Sequence, residues 1–156
     1  MEKQRSSRGC FLCGRENPIG LKVTWYTDQE AGQVTASVIV PGQFNSYPGI
    51  VHGGIVAALL DETAGRALVL QGDSDDVLMV TLKLEVKYRR AVPTGQPLTL
   101  RGQLQQHTAM RARATAQLLL PDGSLAAEAE ALLVRPPAAM IESWKDEQPY
   151  WKVYDE

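Results

Sequence analysis

The sequence predicts an α+β fold in which one antiparallel sheet wraps around a single long, buried helix. Three observations carry this expectation. Residues 53–71 contain no proline, and apolar side chains recur at helical spacing, Ile55 with Leu59, and Val56 with Leu60, Ala64 and Leu68. Residues 77–90 alternate instead, with Leu78, Val80, Leu82, Leu84, Val86 and Tyr88 on one parity and Met79, Thr81, Lys83, Glu85 and Lys87 on the other. That period of two is the mark of a strand. The strand-like segments that follow are joined by short connections, which suit antiparallel pairing around a helix.

Taken in order, residues 1–9 are polar and basic, and are expected to form a flexible N-terminus. Residues 10–20 (CFLCGRENPIG) are turn-rich, with breaks at Asn17-Pro18 and Gly20. A strand is predicted over 21–27, a turn over 28–32, and a second strand over 33–40 with Val34, Ala36, Val38 and Val40 on one face. Pro41-Gly42 stops it, and the loop 43–48 leads into the helix, which ends near Gln71-Gly72 where glycine suits a helix C-terminus. An acidic loop (Asp73, Asp75, Asp76) precedes the long strand, and Pro93-Thr94-Gly95 turns the chain after it. Strands follow over 98–106 and 110–120, then a hairpin turn at Pro121-Asp122-Gly123-Ser124. The Ala, Glu and Leu content of 125–135 favours helix by propensity. The tight turn before it and the Glu128/Glu130 alternation assign it as a strand. Pro136-Pro137 closes the domain at residue 136, and 137–156, with Trp144, Tyr150, Trp151 and Tyr154, forms a C-terminal appendage packed on a surface.

A chain of 156 residues fits one domain with a sizeable core. Its net charge of -2 gives no sign of nucleic-acid binding. No apolar run reaches membrane-spanning length and the N-terminus lacks a signal-peptide core, so no membrane partner and a cytoplasmic location are expected. The two cysteines form one Cys10-x-x-Cys13 pair. A structural zinc site usually takes four ligands, and the chain has no second pair. Two reduced structural thiols and no metal are expected, a metal shared across a dimer being the alternative.

The chemistry concentrates at the helix. Burying it leaves Asp61 and Glu62 to be explained, because a carboxylate in apolar surroundings needs a partner or a wet cleft. The neighbours of Asp61 at helical spacing are Ala57, Ala58, Ala64 and Gly65, which leave a shallow trough beside it. Small residues also serve close helix packing, and both uses are compatible. At the helix start Gly53 and Gly54 leave first-turn N–H groups approachable, and such groups attract developing negative charge. Gly53 and Asp61 lie about 12 Å apart along a helix. If they share one substrate they must come from two subunits, which predicts a homodimer with antiparallel central helices.

These features resemble the hotdog-fold thioesterases of the PaaI-like (4-hydroxybenzoyl-CoA thioesterase-like) group. The resemblance covers roughly residues 10–135. It rests on Pro48-Gly49-Ile50-Val51-His52-Gly53-Gly54, on Asp61 nine positions after His52, and on Tyr88-Arg89-Arg90-Ala91-Val92-Pro93-Thr94-Gly95. Cys10-Phe11-Leu12-Cys13-Gly14, with Asn17-Pro18-Ile19-Gly20-Leu21, resembles a subgroup of the same family.

The resemblance implies hydrolysis of an acyl-CoA or related thioester, with no cofactor, by a dimer or a tetramer. By position, the Gly53 N–H polarises the thioester carbonyl, while Asp61 of the other subunit is general base or nucleophile. The Thr81 hydroxyl helps to place the water; the strand alternation puts Thr81 opposite the apolar face, which suits a cleft and equally suits plain solvent exposure. His52 closes the loop near the carbonyl, or is simply satisfied by backbone. Some relatives carry asparagine six residues before the histidine; here that position is Ser46, with Asn45 one earlier. Asn45, through a one-residue shift of the loop, Gly54, Tyr88, Arg89, Arg90 and Arg111 are the expected substrate contacts, the arginines toward the CoA phosphates. The alternative function is a non-catalytic module that binds acyl-CoA or an aromatic ligand in the same cleft.

Overall fold

The computed structural model describes residues 1–74 and 77–155. Strands β1 (Glu2–Lys3), β2 (Trp25–Asp28) and β3 (Gln33–Ile39) precede helix α1 (Gly53–Arg66). Strands β4 (Val80–Tyr88), β5 (Pro97–His107), β6 (Arg111–Leu119) and β7 (Leu125–Val134) follow it, and a short helix α2 (Ala138–Glu142) and a 3-10 helix (Lys145–Tyr150) come last. The seven strands form one sheet in the order β1-β2-β3-β5-β6-β7-β4, antiparallel at every pairing. With α1 against its inner face this is the α+β hotdog fold. Among the described residues no helix is long and apolar enough to cross a membrane.

Helix and sheet fit because the sheet is lined with small side chains where they meet. Ala112, Ala114 and Ala116 of β6 and Ala127, Ala129 and Ala131 of β7 are buried, opposite the buried Val56, Leu59, Leu60 and Ala64 of α1. Alanine every second residue lets the helix sit close without a void. Gly102 of β5 is the tightest point: a Cβ there would lie 2.6 Å from the Thr63 carbonyl oxygen. Thr63 is polar and fully buried, yet its hydroxyl donates to Leu59 O at 2.7 Å and accepts from Trp25 Nε1 at 3.1 Å.

Three expectations need correction. Residues 1–9 do not hang free: β1 pairs with β2, Gln4 is buried, and its amide donates to Thr27 Oγ1 at 2.9 Å. The first predicted strand is shorter, because Lys22 takes a positive φ of 53° that extended pairing does not allow, and regular pairing begins at Trp25. The predicted helix tightens into a 3-10 turn over Ala67–Gln71, then ends at Gly72 with φ of 126°. Asp75 and Asp76 of the acidic loop lie outside the described residues. The predicted 125–135 strand is β7, in the middle of its half of the sheet, between β6 and β4.

The C-terminal stretch folds back over the helix end. Lys152 bridges to Ser6, and the Arg66 guanidinium is held 5.0 Å from the ring centroids of both Trp25 and Trp151.

Candidate active site

The loop before α1 is built to present the first helical turn. Gly49, with φ of 78°, lets residues 46–50 close on themselves, Ser46 N donating to Ile50 O at 2.8 Å. Val51 N donates to Val92 O at 2.8 Å, which fixes the loop to the segment after β4. His52 is the N-cap, its Nδ1 accepting from Gly54 N at 2.9 Å. Its carbonyl accepts from Ile55 N and Val56 N. Of the first-turn donors, only the Gly53 N–H has no acceptor among the described residues. The two bonds accepted by the His52 carbonyl polarise the same peptide unit, which strengthens that remaining N–H as a donor. Tyr88 Oη donates to Gly53 O at 2.6 Å, tying the end of β4 to the helix start.

A groove of about 350 Å³ opens at this point, with Ser46, Ile50, Gly53, Tyr88, Arg89 and Arg90 on its walls. Gly54 is not a free donor, since His52 takes its N–H. Asn45 is exposed and outside this lining, its backbone N–H bonded to Gly42 O; Ser46, one residue later, faces the groove instead. Arg89 reaches Glu128 at 2.8 Å, and that bond holds the Glu128 carboxyl below its usual range. Arg111 is not gathered here. It pairs across from Val134, itself opposite Val80, so it stands at the other end of the sheet from Tyr88, roughly 25 Å away.

The second half lies further along α1. Thr81 Oγ1 donates to Asp61 Oδ1 at 2.6 Å. The alternation left Thr81 open between a cleft and plain solvent exposure, and the pairing of β4 shows how it comes to stand beside Asp61. A β-bulge between Thr81 and Lys83 inserts Leu82 as an unpaired residue. The parity therefore reverses: Thr81 pairs with the buried Leu133, while Lys83 pairs with Leu132. Thr81 thus shares the helix-facing side, and Leu82 is thrown outward, 59% exposed. A cleft of about 300 Å³ holds both groups, with Leu68, Leu78, Met79 and Trp151 among its walls. Glu62, next in sequence, is engaged elsewhere, accepting from Arg66 Nε at 2.8 Å.

The sequence reading missed the contribution of Trp151 to this cleft. An aromatic in an aperiodic tail carries no positional signal. The Glu62–Arg66 pair was readable from its spacing of four on a helix. Cys10 and Cys13 lie on the far side of Glu62, and the three side chains approach within 4.8 Å of one another. A hydrogen bond from Cys10, followed by the field of Arg66, draws the Cys13 thiol down to about 6, against the effect of burial. The same hydrogen bond, then burial, pushes the Cys10 thiol up.

A family model described as the thioesterase superfamily matches residues 48–127, which contain both halves of this arrangement. An acyl-coenzyme A thioesterase of Rattus norvegicus, THEM4, is 24% identical over 105 residues, 67% of this chain and 44% of that protein. The chain thus spans about half the length of the curated relatives it matches. A solved thioesterase superfamily protein superposes with a TM-score of 0.73 at 29% identity, covering 81% of this chain and 63% of that one. A phenylacetic acid degradation-related protein from Ralstonia eutropha gives 0.64 at 27% identity, covering 74% and 86%.

Proposed function

The chain belongs to the thioesterase superfamily, and from that membership we propose that it hydrolyses acyl-CoA thioesters at sites shared across a homodimer. The observation that carries the proposal is the 2.6 Å bond from Thr81 to Asp61 at the mouth of a largely apolar cleft. Among the described residues no hydrogen bond reaches Asp61 Oδ2, and the Thr81 oxygen keeps lone pairs. A water donating one hydrogen to each would turn its own lone pair outward, toward a carbonyl carbon lying against the cleft. As Asp61 takes the proton, the water oxygen bonds to the thioester carbon and the carbonyl electron pair moves onto oxygen. A Gly53 N–H faces that developing charge. Collapse of the intermediate breaks the carbon–sulfur bond, and the proton held on Asp61 passes to the departing sulfur, releasing a carboxylic acid and the CoA thiol and restoring the carboxylate. In the nucleophilic variant, Asp61 itself attacks and water then opens the mixed anhydride.

Gly53 and Asp61 sit on one continuous helix, about 12 Å apart, so the donor comes from the second subunit. The edge of the sheet supports this assembly. Among the described residues β4 is terminal in the strand order and pairs on one side only, and it carries the exposed Leu82 and Tyr88. A nine-residue edge strand of this kind leaves its outer backbone groups open to pairing with a second copy. Antiparallel addition of β4 to its counterpart sets the two helices in opposite directions, with each Asp61 toward the other Gly53.

The cleft walls beside Asp61 would receive the acyl group, while Tyr88, Arg89 and Arg90 would flank the CoA moiety. Thiol release measured over a panel of acyl-CoAs tests the reading. Turnover of at least one acyl class is expected. Saturable binding of CoA esters with no thiol release across the panel would mark the chain as a binding module and end the proposal.

A further inference from the structure

Residues 10–14 turn back on themselves tightly, Gly14 N donating to Cys10 O at 2.8 Å. Only glycine allows it, since a Cβ at Gly14 would lie 2.3 Å from Cys10 O and 2.5 Å from Cys10 N. The turn brings both sulfurs to one side, with backbone N–H groups directed at each. Leu12 N lies 3.3 Å from Cys10 Sγ, and Ser7 N lies 3.5 Å from Cys13 Sγ. Such donors stabilise sulfur in its anionic form.

The third group arrives from a distant part of the chain. Glu62 on α1 brings a carboxylate oxygen to the pair, so that one donor atom from each of Cys10, Cys13 and Glu62 falls within 4.8 Å of the others. Tetrahedral coordination at about 2.3 Å to sulfur and 2.0 Å to oxygen sets neighbouring donors roughly 3.5–3.8 Å apart. A modest contraction of the cluster reaches that geometry.

Glu62 is also oriented as a metal ligand is. Its Oε1 accepts from Arg66 Nε at 2.8 Å, and Arg66 is itself buried and anchored by donating to Arg5 O at 2.5 Å. Charge closes as well: two thiolates and one carboxylate carry three negative charges, offset by Arg66 and one divalent cation. A fourth position faces a cavity bounded by Arg8, Trp144, Glu147 and Trp151, open enough for a water ligand.

We propose that Cys10, Cys13 and Glu62 form a site for a thiophilic divalent cation, zinc before others, completed by solvent. Two thiolates and one oxygen in a four-coordinate arrangement select against magnesium and calcium, which take oxygen donors at higher coordination. Binding displaces the thiol protons to solvent. The ion would staple the N-terminal turn to α1 one residue from Asp61.

The test uses the full chain, purified under reducing conditions and titrated anaerobically with cobalt(II) chloride. The expected result is 1:1 binding with intense near-ultraviolet sulfur-to-cobalt charge transfer, lost on addition of zinc chloride. The chain has two cysteines, so that band in the unaltered protein already assigns the sulfur ligands. Cys10→Ser and Cys13→Ser are expected to remove or halve it. Glu62→Gln is expected to keep it while weakening cobalt affinity at least tenfold. No stoichiometric binding, a spectrum without thiolate bands, or unchanged affinity in Glu62→Gln overturns the proposal.

Discussion

Asp61 and Glu62 are adjacent carboxylates on one helix, separated in role by what surrounds them. Asp61 receives one short bond from Thr81 in an accessible cleft, whereas Glu62 is tied to a buried guanidinium. Asp61→Asn keeps the shape and removes the base or nucleophile. It is expected to lower kcat about a hundredfold or more while leaving KM near its starting value. Glu62→Gln still accepts from Arg66, but without the charge. Its expected effect is a loss of roughly 1–3 kcal/mol of stability, read in denaturant unfolding, with kcat nearly intact. A reversed pattern, with Glu62→Gln inactive and Asp61→Asn active, would show that the wrong carboxylate has been assigned. The spacing of Asp61 from His52 was legible in the chain because both sit in one local, periodic stretch. The inward face of Thr81 was not, because a bulge is a property of two paired strands. The sequence of β4 alone carries no record of where its pairing with β7 takes up an extra residue.

At the scale of elements, the close approach of α1 to the sheet determines where the site lies. Gly102 looks like an unremarkable strand residue in the sequence, yet a methyl group there would meet the Thr63 carbonyl at 2.6 Å and Val34 Cγ2 at 2.8 Å. The obstacle is partly backbone and cannot swing aside. Gly102→Ala is therefore expected to cost about 1–3 kcal/mol and to shift the unfolding midpoint accordingly. The start of α1 and the boundaries of β5 to β7 were legible, since turn residues and periodicity mark them. β1 was not: a two-residue strand has no pattern, and its place comes from burial of Gln4 against Thr27. The end of β4 carries a separate prediction. Arg89 and Arg90 border the groove at the helix start, and Arg89 already has Glu128 as a partner. Changing both to alanine is expected to raise KM for CoA thioesters several-fold. Short thioesters that lack the nucleotide should be hydrolysed as before. Equal losses on both substrate types would point to damage of the fold at the β4 end.

At the scale of the whole molecule, the shared site makes a quantitative demand on mixed dimers. Gly53 is the first residue of α1, and its N–H has no acceptor among the described residues. Gly53→Pro removes that N–H alone. Proline is well tolerated at the first helical position, and His52 already holds the extended ψ of 135° that a following proline requires. The variant is expected to fold and dimerise, but to lose about a hundredfold or more in kcat as an oxyanion donor disappears. Asp61→Asn is inactive for the other reason. Random exchange of the two variants in equal amounts yields heterodimers in about half of the molecules. In each, one site pairs the intact Asp61 of one subunit with the intact Gly53 of the other, and the second site is doubly broken. About a quarter of the unaltered activity should return on mixing, with subunit exchange followed by sedimentation. A site contained within one subunit would recover nothing, because every copy would still lack one of its two groups. Leu82→Asp supplies the complementary control, since a charge projecting from the exposed edge of β4 opposes strand pairing. Its sedimentation coefficient should fall to that of a monomer, and turnover should fall with it. An active monomer would separate catalysis from the shared helix geometry.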